Sequence, residues 1–563
     1  MKIKTVSIHN FRSVRDTEFD LEDYSLLVGP NNAGKSTVID ALRVFYEKDK
    51  YGYRPDRDVP FLGSDGESWI DITFALLPQE HKGLADKYKA PDFLLKVRKY
   101  LNCKDKSKNG LIYAFLPEGD LASDQFYGAK QVQQGKLGNV VYVPAVSKVD
   151  EHIKLTGPSA LRDLLSTVLD EVIDSSNAFV ELEKNFIQFS KTIRNASTTD
   201  GLSLGGLEED LSSLLGEWGT EFHFSVKTPT ISDITKSLID FHCRDESHEQ
   251  DMGLDQFGSG FQRHFIFSLI QLSAKYLGKK KPTQSKDFSP QLNLLLFEEP
   301  EAFLHPSKQQ KLALNLQSIA KDETSQVICS THSPHFISHN ISNIGSVLRL
   351  RRVGGIGRVY QVRKDRWNSI VEQNQELNEI ASKWNGKNKP PHEDDYLPEM
   401  ESIKYCLWLN PDRCGMFFAN RVLLVEGATE IALINRLITD GKIRIPDDGL
   451  QVVDCMGKFN THRFILLLSE LGTPHAVLHD ADLNKGQHSE LHELVRKSSH
   501  AKLTCRIEKF GTDLEDTLGI SKTTRHRKPQ HALMNYERGD IEDSRVADLC
   551  KKVQDCIDSM ANS

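Results

Sequence analysis

The amino-acid sequence predicts an α/β protein: a larger sheet-containing domain interrupted by a helical insertion, then a smaller domain built on a parallel sheet. Three patterns predict this organisation. An apolar run at 24–28 leads through a glycine-rich loop into a helical segment. A second apolar run, 292–297, ends in two glutamates, and strand and helix patterns alternate between 421 and 479. Such alternation is typical of parallel sheets covered by helices.

Composition sets the class of protein. The 563 residues suffice for roughly three or four domains, and contents of 39% hydrophobic and 27% charged residues are those of a globular protein. The start of the chain alternates like a strand and has no signal-peptide core, and no apolar run is long enough for a bilayer, so we expect a cytoplasmic protein without membrane contact. The nine cysteines are scattered without a C-x-x-C, which predicts reduced thiols rather than disulfides or zinc. The net charge of −8 gives no global nucleic-acid signature.

The glycine-rich loop, Gly29 to Thr37, reads GPNNAGKST and matches the phosphate-binding pattern G-x-x-x-x-G-K-[ST]. Glycines let the backbone turn its N–H groups towards phosphate oxygens at a helix N-terminus. Lysine then reaches the β- and γ-phosphates, and the following hydroxyl holds Mg²⁺. The alternative, a glycine turn with a coincidental lysine, does not explain the strand and helix on either side. The predicted ATP-binding residues are Gly29, Asn31, Asn32, Gly34, Lys35, Ser36 and Thr37, with Ser36 also on the magnesium ion.

The apolar run 292–297 predicts a buried parallel strand with functional carboxylates at its tip. We expect Glu298 beside the Mg²⁺ and Glu299 to orient the attacking water. The alternative is a strand that ends in a solvated acidic turn. The run 326–332 predicts another strand, and it ends at His332, which would contact the γ-phosphate.

These segments, with the stretch Gly258-Ser259-Gly260-Phe261-Gln262, resemble the ABC-type ATPase heads of the RecF, SMC and OLD families. The resemblance implies an ABC-type head in two halves, 1–155 and 251–350, around a helical insertion at 156–250 that packs locally or serves dimerisation. It also implies that Ser259 and Gly260 contact ATP held by a second subunit, so that the heads form a homodimer or higher oligomer. Two features depart from the pattern: Glu298 replaces an aspartate, and the signature reads GSGFQ rather than LSGGQ.

Residues 351–415 are predicted to be a linker, with a polar, mobile loop at 383–395, and residues 416–563 a second domain. Strand patterns at 421–425, 450–454 and 475–479 alternate with helical ones. Acidic side chains follow the first and third strands, where the carboxyl ends of a parallel sheet place functional groups. Their all-oxygen chemistry suits Mg²⁺ or Mn²⁺; the alternatives are helix capping and ordinary surface acids. The predicted ligands are Glu426, Glu430, Asp480 and Asp482.

This arrangement resembles the Toprim domain, a Rossmann-like parallel-sheet fold found in topoisomerases, DnaG primases and OLD nucleases. An ABC-type head followed by Toprim in one chain resembles the OLD family specifically, including the Gabija and retron-associated nucleases. OLD sites resemble two-metal nucleases with a further acid and a lysine downstream. That resemblance points to Glu515 first and Asp513 second, and to Lys528 before Lys522. The basic run 525–527 would hold phosphates.

The resemblance implies a metal-dependent DNA endonuclease with catalytic residues Glu426, Asp480, Glu515 and Lys528, in anti-phage defence and alongside a neighbour-encoded partner such as a helicase-like protein or a retron. The main alternative is a RecF- or SMC-like DNA repair ATPase with an inactive Toprim domain. A topoisomerase would need a DNA-gate domain with a tyrosine, and a primase a zinc ribbon; neither pattern occurs. Because the two sites lie about four hundred residues apart in sequence, ATP is expected to gate the nuclease, by activation or by inhibition.

Overall fold

The computed structural model describes the chain outside residues 48–49, 61–64, 128–131, 133–135, 146–160, 163, 166–167, 170–171, 173–177, 225–229, 231–232, 234–238, 240, 246–249, 278–287, 289, 338–340, 385–393, 395–396, 482–487 and 562–563. The polar loop expected at 383–395 falls almost entirely outside the described residues, and so does Asp482. The chain divides into two compact units, residues 1–145 with 284–563, and residues 146–283. No helix among the described residues is long and apolar enough to span a membrane.

The strands are, in chain order, Lys2–Phe11 (β1), Val14–Asp20 (β2), Tyr24–Val28 (β3), Ser68–Ala75 (β4), Leu94–Asn102 (β5), Ile112–Ala114 (β6), Asn139–Val143 (β7), Cys243–Asp245 (β8), Gln250–Met252 (β9), Asn293–Glu298 (β10), Ser325–Ser330 (β11), Val347–Val353 (β12), Ile356–Gln361 (β13), Val422–Val425 (β14), Gln451–Asp454 (β15), His475–His479 (β16) and Thr504–Lys509 (β17). The helices are Lys35–Tyr46 (α1), Pro55–Asp58 (α2), Pro78–Gly83 (α3), Ala178–Asn195 (α4), Leu204–Leu215 (α5), Ser259–Leu277 (α6), Pro306–Ala320 (α7), Pro334–Ile337 (α8), Lys364–Trp384 (α9), Pro398–Trp408 (α10), Pro411–Cys414 (α11), Ala428–Thr439 (α12), Lys458–Glu470 (α13), His488–Lys497 (α14), Leu514–Leu518 (α15), Lys528–Arg538 (α16) and Asp543–Ser559 (α17).

The first unit contains an eleven-stranded sheet in the order β6-β5-β4-β1-β2-β13-β12-β3-β11-β10-β7. Strands β12, β3, β11, β10 and β7 run parallel, and β6, β5, β4, β1 and β2 pair antiparallel. The difference follows from burial, since parallel strands are covered on both faces: every residue of β3 is buried, whereas buried and more accessible residues largely alternate in the central part of β1. The phosphate-loop strand therefore lies inside the sheet.

A second, four-stranded sheet has the order β15-β14-β16-β17, and all of its pairs are parallel. Three of its strands coincide with the runs at 421–425, 450–454 and 475–479, while β17 was not predicted. Helices α12 and α17 pack on it around a core that includes Leu433 and Val553. All four carboxyl ends face one edge of this sheet.

The segment expected to be a linker, 351–415, is ordered structure where it is described. Strand β13 and the end of β12 form a hairpin in the large sheet, and α9 and α10 contact the second sheet's helices. Glu401 on α10 pairs with Arg463 on α13 at 2.9 Å, and both side chains are almost fully buried. This ion pair holds α10 against α13.

Strand β12 also joins the two sheets. The guanidinium of Arg349, which is fully buried, donates to the backbone carbonyls of Phe417, Leu471 and Ala419 at 3.2, 3.0 and 2.7 Å. Arg351 donates to the carbonyl of Gly472 at 3.2 Å. Burial, with Arg351 nearby, lowers the pKa of Arg349 to about 9, so the side chain remains cationic at neutral pH.

The second unit, residues 146–283, is described by its helices α4, α5 and α6 and the hairpin β8–β9. It includes the segment 255–263, which was expected to belong to the second half of the ATPase. Ser259 and Gly260 lie at the start of α6. Helix α4 exposes apolar side chains, among them Val180, Ile187 and Phe189.

Candidate functional site

The phosphate loop has the backbone that its glycines predict. Gly29 and Gly34 have φ angles of 132° and 108°, which side-chain-bearing residues rarely adopt. Gly29 lies so close to β12 that a Cβ would stand 2.2 Å from the carbonyl oxygen of Leu350. The loop then enters α1 at Lys35. This is the geometry of an anion site at a helix N-terminus.

The Lys35 ammonium lies inside the loop, where it donates to the carbonyls of Gly29 and Pro30, both at 3.0 Å. Burial lowers the pKa of Lys35 to about 8, although the carboxylates of Glu299 and Glu301 oppose this change. A cation held by loop carbonyls is available to phosphate oxygens, which are stronger acceptors because they are charged. Ser36 is exposed beside it, while Asn31 and Asn32 lie on the outside of the loop.

The predicted ATPase acids lie at the same edge of the large sheet, because β3, β11 and β10 are parallel neighbours. Glu298 ends β10 and accepts a hydrogen bond of 2.7 Å from the Tyr142 hydroxyl. Glu299 has a φ of 42°, and its carboxylate lies 3.5 Å from Nε2 of His332. Burial, followed by the charge of Lys35, lowers the pKa of His332. Glu299, His332 and the phosphate loop are therefore brought together.

Two residues of this site were not predicted. Tyr142 lies on β7, 156 positions from its partner Glu298, and the guanidinium of Arg43 is 3.6 Å from the centre of its ring. Glu301 is buried and accepts the backbone N–H of His332 at 2.6 Å. Such long-range pairings have no local signal in the sequence.

The second sheet carries an acidic cavity of about 510 Å³ at the carboxyl ends of its strands. Glu426 follows β14, Asp480 follows β16, and Asp454 ends β15. Glu430 comes from the first turn of α12 and Glu515 from α15, which follows β17. Four of the five predicted acidic ligands thus line one cavity; the fifth, Asp482, lies outside the described residues. The lining also includes Lys528 and Arg525.

The two candidates for the catalytic lysine, Lys528 and Lys522, form ion pairs with different carboxylates. Lys528 pairs with Glu515 at 2.7 Å in the cavity wall. Lys522 is exposed and pairs with Asp513, whose other oxygen caps the N-terminus of α15 through the N–H of Asp516 at 2.9 Å. Asp513 and Lys522 are absent from the cavity lining. The geometry favours Glu515 and Lys528.

Glu430 is both a helix cap and a member of the acidic cluster. Its carboxylate accepts the N–H of Gly427 at 3.0 Å, so the capping alternative describes a real contact. Burial, with the charges of Glu426 and Glu515, raises the pKa of Glu430 to about 7. Like-charged carboxylates that repel in this way are the usual environment of a divalent cation.

The donor set fits a hard divalent cation, since the acidic side chains offer oxygen atoms from separate elements. Among the described residues, no three His, Cys, Asp or Glu side chains lie close enough together to hold a metal ion as they stand. The carboxylates instead surround the open cavity, and Lys528 lies on Glu515.

Asp454 was not predicted, although its position after a strand is the signal that identified Glu426 and Asp480. Its carboxylate pairs with Arg413 at 3.1 Å and also accepts the backbone N–H of Met456. These contacts give it a role in fixing the turn after β15.

A family described as AAA ATPase domain matches residues 1–116 and 161–337, slightly more than half of the chain. The TOPRIM domain of proteins like the overcoming lysogenization defect protein matches residues 417–482. The chain belongs to the family described as AAA ATPase domain, and its TOPRIM segment is similar to that of OLD-like proteins. The predicted fold class, an ATPase head followed by a Toprim domain, is confirmed.

Three curated relatives match most of the chain. The Old nuclease of Escherichia phage P2 is 26% identical, covering 93% of this chain and 84% of its own. The OLD nuclease of Thermus scotoductus is 25% identical, over 85% and 82% respectively. Endonuclease GajA of Bacillus cereus strain VD045 is 21% identical, over 96% and 86%.

The raised pKa of Glu430 predicts how the metal-free OLD Toprim domain responds to pH. Protonation stabilises the folded form, so this contribution is complete below pH about 4.5 and is lost as the pH rises through about 7. The loss is up to about 3 kcal/mol. Unfolding temperatures between pH 5 and pH 8 should therefore fall more steeply for the wild type than for Glu430→Gln. Added Mg²⁺ should raise the wild-type value more at pH 8 than at pH 5, and parallel profiles would contradict this interpretation.

Proposed function

We propose that this protein is an ATP-controlled, divalent-metal-dependent DNA endonuclease. The observation that carries the proposal is the cavity in which Glu426, Glu430, Asp480 and Glu515 lie together with Lys528. Carboxylates clustered beside a cation are the side chains that phosphodiester hydrolysis requires. The names of the relatives, two OLD nucleases and an endonuclease, agree with this chemistry.

Each side chain has a distinct part in the proposed reaction. Glu426, Glu430, Asp480, Asp482 and Glu515 would hold Mg²⁺ or Mn²⁺, which when bound supplies an activated water and neutralises charge on the leaving oxygen. Lys528, once released from Glu515, would offset the charge that develops on the scissile phosphate; its present contact with Glu515 in the cavity wall supports this role. Arg525, which lines the cavity, and Arg527, two residues later in the same turn, are both exposed and would contact neighbouring phosphates of a DNA strand.

Nucleotide control of cleavage is supported by the contacts of β12. Leu350 contacts the phosphate loop at Gly29, and the adjacent Arg349 holds the backbone of the Toprim domain at three carbonyls. Two of those carbonyls, Phe417 and Ala419, precede β14, and Leu471 precedes β16. These are the strands that end at Glu426 and Asp480. A shift of the loop on binding ATP would therefore reach the nuclease carboxylates through one strand.

ATP hydrolysis is assigned to Lys35, Glu298, Glu299 and His332, with Ser36 and Glu298 on the magnesium ion. We further propose that two heads associate, so that Ser259 and Gly260 of one copy contact the nucleotide of the other. The exposed apolar side chains of α4 support self-association of the second unit. A role in anti-phage defence, with a neighbour-encoded partner, completes the proposal.

The controlling role of ATP is tested with Lys35→Ala. Without the ammonium, phosphate binding should weaken and ATP hydrolysis should fall at least about 100-fold, since the loop loses its positive side chain. Plasmid cleavage should be measured with no nucleotide, with ATP and with a non-hydrolysable analogue. The wild type should respond to nucleotide and Lys35→Ala should not. A wild type that cuts equally under all three conditions would remove nucleotide control from the proposal.

The competing function is a DNA repair ATPase with an inactive Toprim domain. It predicts that ATP hydrolysis persists while no divalent metal binds at the acidic cavity. Calorimetric titration of the full chain with Mn²⁺ in the absence of nucleotide decides between the two. Binding that disappears in Asp480→Asn supports the nuclease, and absence of carboxylate-dependent binding supports the repair ATPase.

A further inference from the structure

A buried lysine lies beside the acidic cavity. Lys458 is the first residue of α13 and is 4% exposed. Its ammonium donates to the backbone carbonyl of Asp480 at 2.6 Å. The sequence alone does not single out this residue, because a lysine after a glycine resembles an ordinary helix start.

The turn before Lys458 is hydrogen-bonded to the end of β14 and to Glu426, which follows it. The N–H of Cys455 donates to the carbonyl of Val425 at 2.9 Å, and the N–H of Gly457 to the carbonyl of Glu426 at 2.7 Å. Gly457 has a φ of 103°, which directs the chain into the helix and which a larger residue would adopt only with strain. The position of Lys458 is therefore set by the backbone of the site.

This position is electrostatically costly for a lysine. Burial removes the ammonium from water, and the N-terminus of a helix already carries partial positive charge. A cation here is stabilised by negative charge nearby, and Lys458 follows Gly457 and contacts the backbone of Asp480, both of which line the acidic cavity. A lysine serving only to join a helix to a sheet would gain nothing from burial at a helix N-terminus.

The backbone of Asp480 is hydrogen-bonded at both its N–H and its carbonyl. Its N–H donates to the carboxylate of Glu426 at 3.3 Å, while its carbonyl accepts from Lys458 and also contacts Nδ1 of His479 at 2.9 Å. These contacts fix the backbone from which the Asp480 carboxylate enters the cavity. Such outer contacts orient metal-binding side chains.

We propose that Lys458 is a positioning residue of the nuclease site, which orients Asp480 and offsets the repulsion among the cavity's carboxylates. The inference rests on the proposed function and adds to it a residue that touches neither metal nor DNA. Loss of Lys458 should affect metal affinity and the rate of cleavage differently. Removing its charge makes the cavity more negative, which favours a cation, while releasing Asp480 slows the reaction.

The test compares Lys458→Met, which keeps the aliphatic chain, with Lys458→Arg, which keeps the charge. Lys497→Met, at an exposed lysine paired with Glu376, is the matched control. Calorimetric titration with Mn²⁺ alone, on the full chain, should show Lys458→Met binding as tightly as the wild type or more tightly. At saturating Mn²⁺ its kcat for plasmid cleavage should fall about 10- to 100-fold, and Lys458→Arg should recover most of that loss.

Other outcomes overturn the inference. If Mn²⁺ affinity and kcat fall together in Lys458→Met, and the unfolding temperature falls with them, Lys458 only supports the fold. If neither quantity changes relative to Lys497→Met, it has no role at the site. A wild type that binds Mn²⁺ but cuts no DNA would refute the proposed function, and the Mn²⁺ titration would still decide whether the charge of Lys458 acts on the cavity.

Discussion

Replacing Glu426 or Asp480 by its amide should reduce plasmid cleavage at least about 1,000-fold in the presence of Mg²⁺ or Mn²⁺. Each side chain follows a buried strand and lines the acidic cavity, and Glu426 also accepts the N–H of Asp480. An amide keeps the shape but loses the charge that holds a hard cation. Losing the cation removes both the activated water and the neutralisation of the leaving group, which together account for an effect of this size.

The same substitutions should leave the metal-free protein as stable as the wild type, or more stable. Burial, and after it the charges of Glu426 and Glu515, raises the pKa of Glu430. Neutralising a neighbouring carboxylate should therefore relieve repulsion in the cavity. Loss of cleavage without loss of unfolding temperature would separate a functional role from a structural one. Function commonly retains such locally unfavourable charge clusters at the expense of stability.

The matched control is Asp513→Asn. Asp513 is close in sequence to Glu515 but pairs with the exposed Lys522 and caps α15 outside the cavity. Cleavage should change less than about fivefold, and the unfolding temperature should change little, because asparagine caps a helix as well as aspartate does and the lost ion pair with the exposed Lys522 contributes less than about 1 kcal/mol. Cleavage by Glu426→Gln or Asp480→Asn at the wild-type rate would show that the cavity is not the nuclease site.

Local sequence patterns predicted those elements that a single short segment forms by itself. The phosphate loop and three strands of the Toprim sheet follow from periodicity and glycine placement. Strand β17 escaped prediction because its residues Thr504–Lys509 are only partly buried and mix charged with apolar side chains. Because this strand was not predicted, only the resemblance pointed to Glu515. In the structure, β17 brings α15 to the edge of the sheet.

The sequence was least informative where charges are satisfied by distant residues. Glu401 and Arg463 are 62 positions apart, and each taken alone is typical of a solvated surface. Tyr142 and Lys458 likewise acquire their contacts only when separate strands meet. Burial of a charged side chain depends on its partner, which the sequence around either residue does not reveal.

Arg349→Met should destabilise the protein by about 3 to 5 kcal/mol. The arginine is fully buried and donates to the carbonyls of Phe417, Leu471 and Ala419. Methionine recovers part of the cost of burying a charge, but it leaves those carbonyls without their donor, at about 1 to 3 kcal/mol each. Arg349→Lys keeps the charge, yet a single ammonium cannot span carbonyls from two segments. Both variants should unfold at lower temperature than the wild type.

The control for Arg349 is Arg352→Met on the same strand. Arg352 is exposed and donates to the carbonyl of Gly355 at 3.0 Å, so its loss should change stability by less than about 0.5 kcal/mol. Hydrogen exchange at residues 417–419 and 471–472 gives the local measurement. Exchange there should accelerate in Arg349→Lys and remain unchanged in Arg352→Met.

The Arg349→Lys variant also tests whether β12 transmits the state of the ATP site. Arg349 pairs with Val28 immediately before the phosphate loop, and the carbonyls that it holds lead into β14 and β16. If this strand is the connection, Arg349→Lys should still hydrolyse ATP while its cleavage no longer responds to nucleotide, because the guanidinium hydrogen bonds that it removes lie between the two sites. An Arg349→Lys protein that keeps both the wild-type unfolding temperature and the nucleotide response would show that the domains communicate by another route.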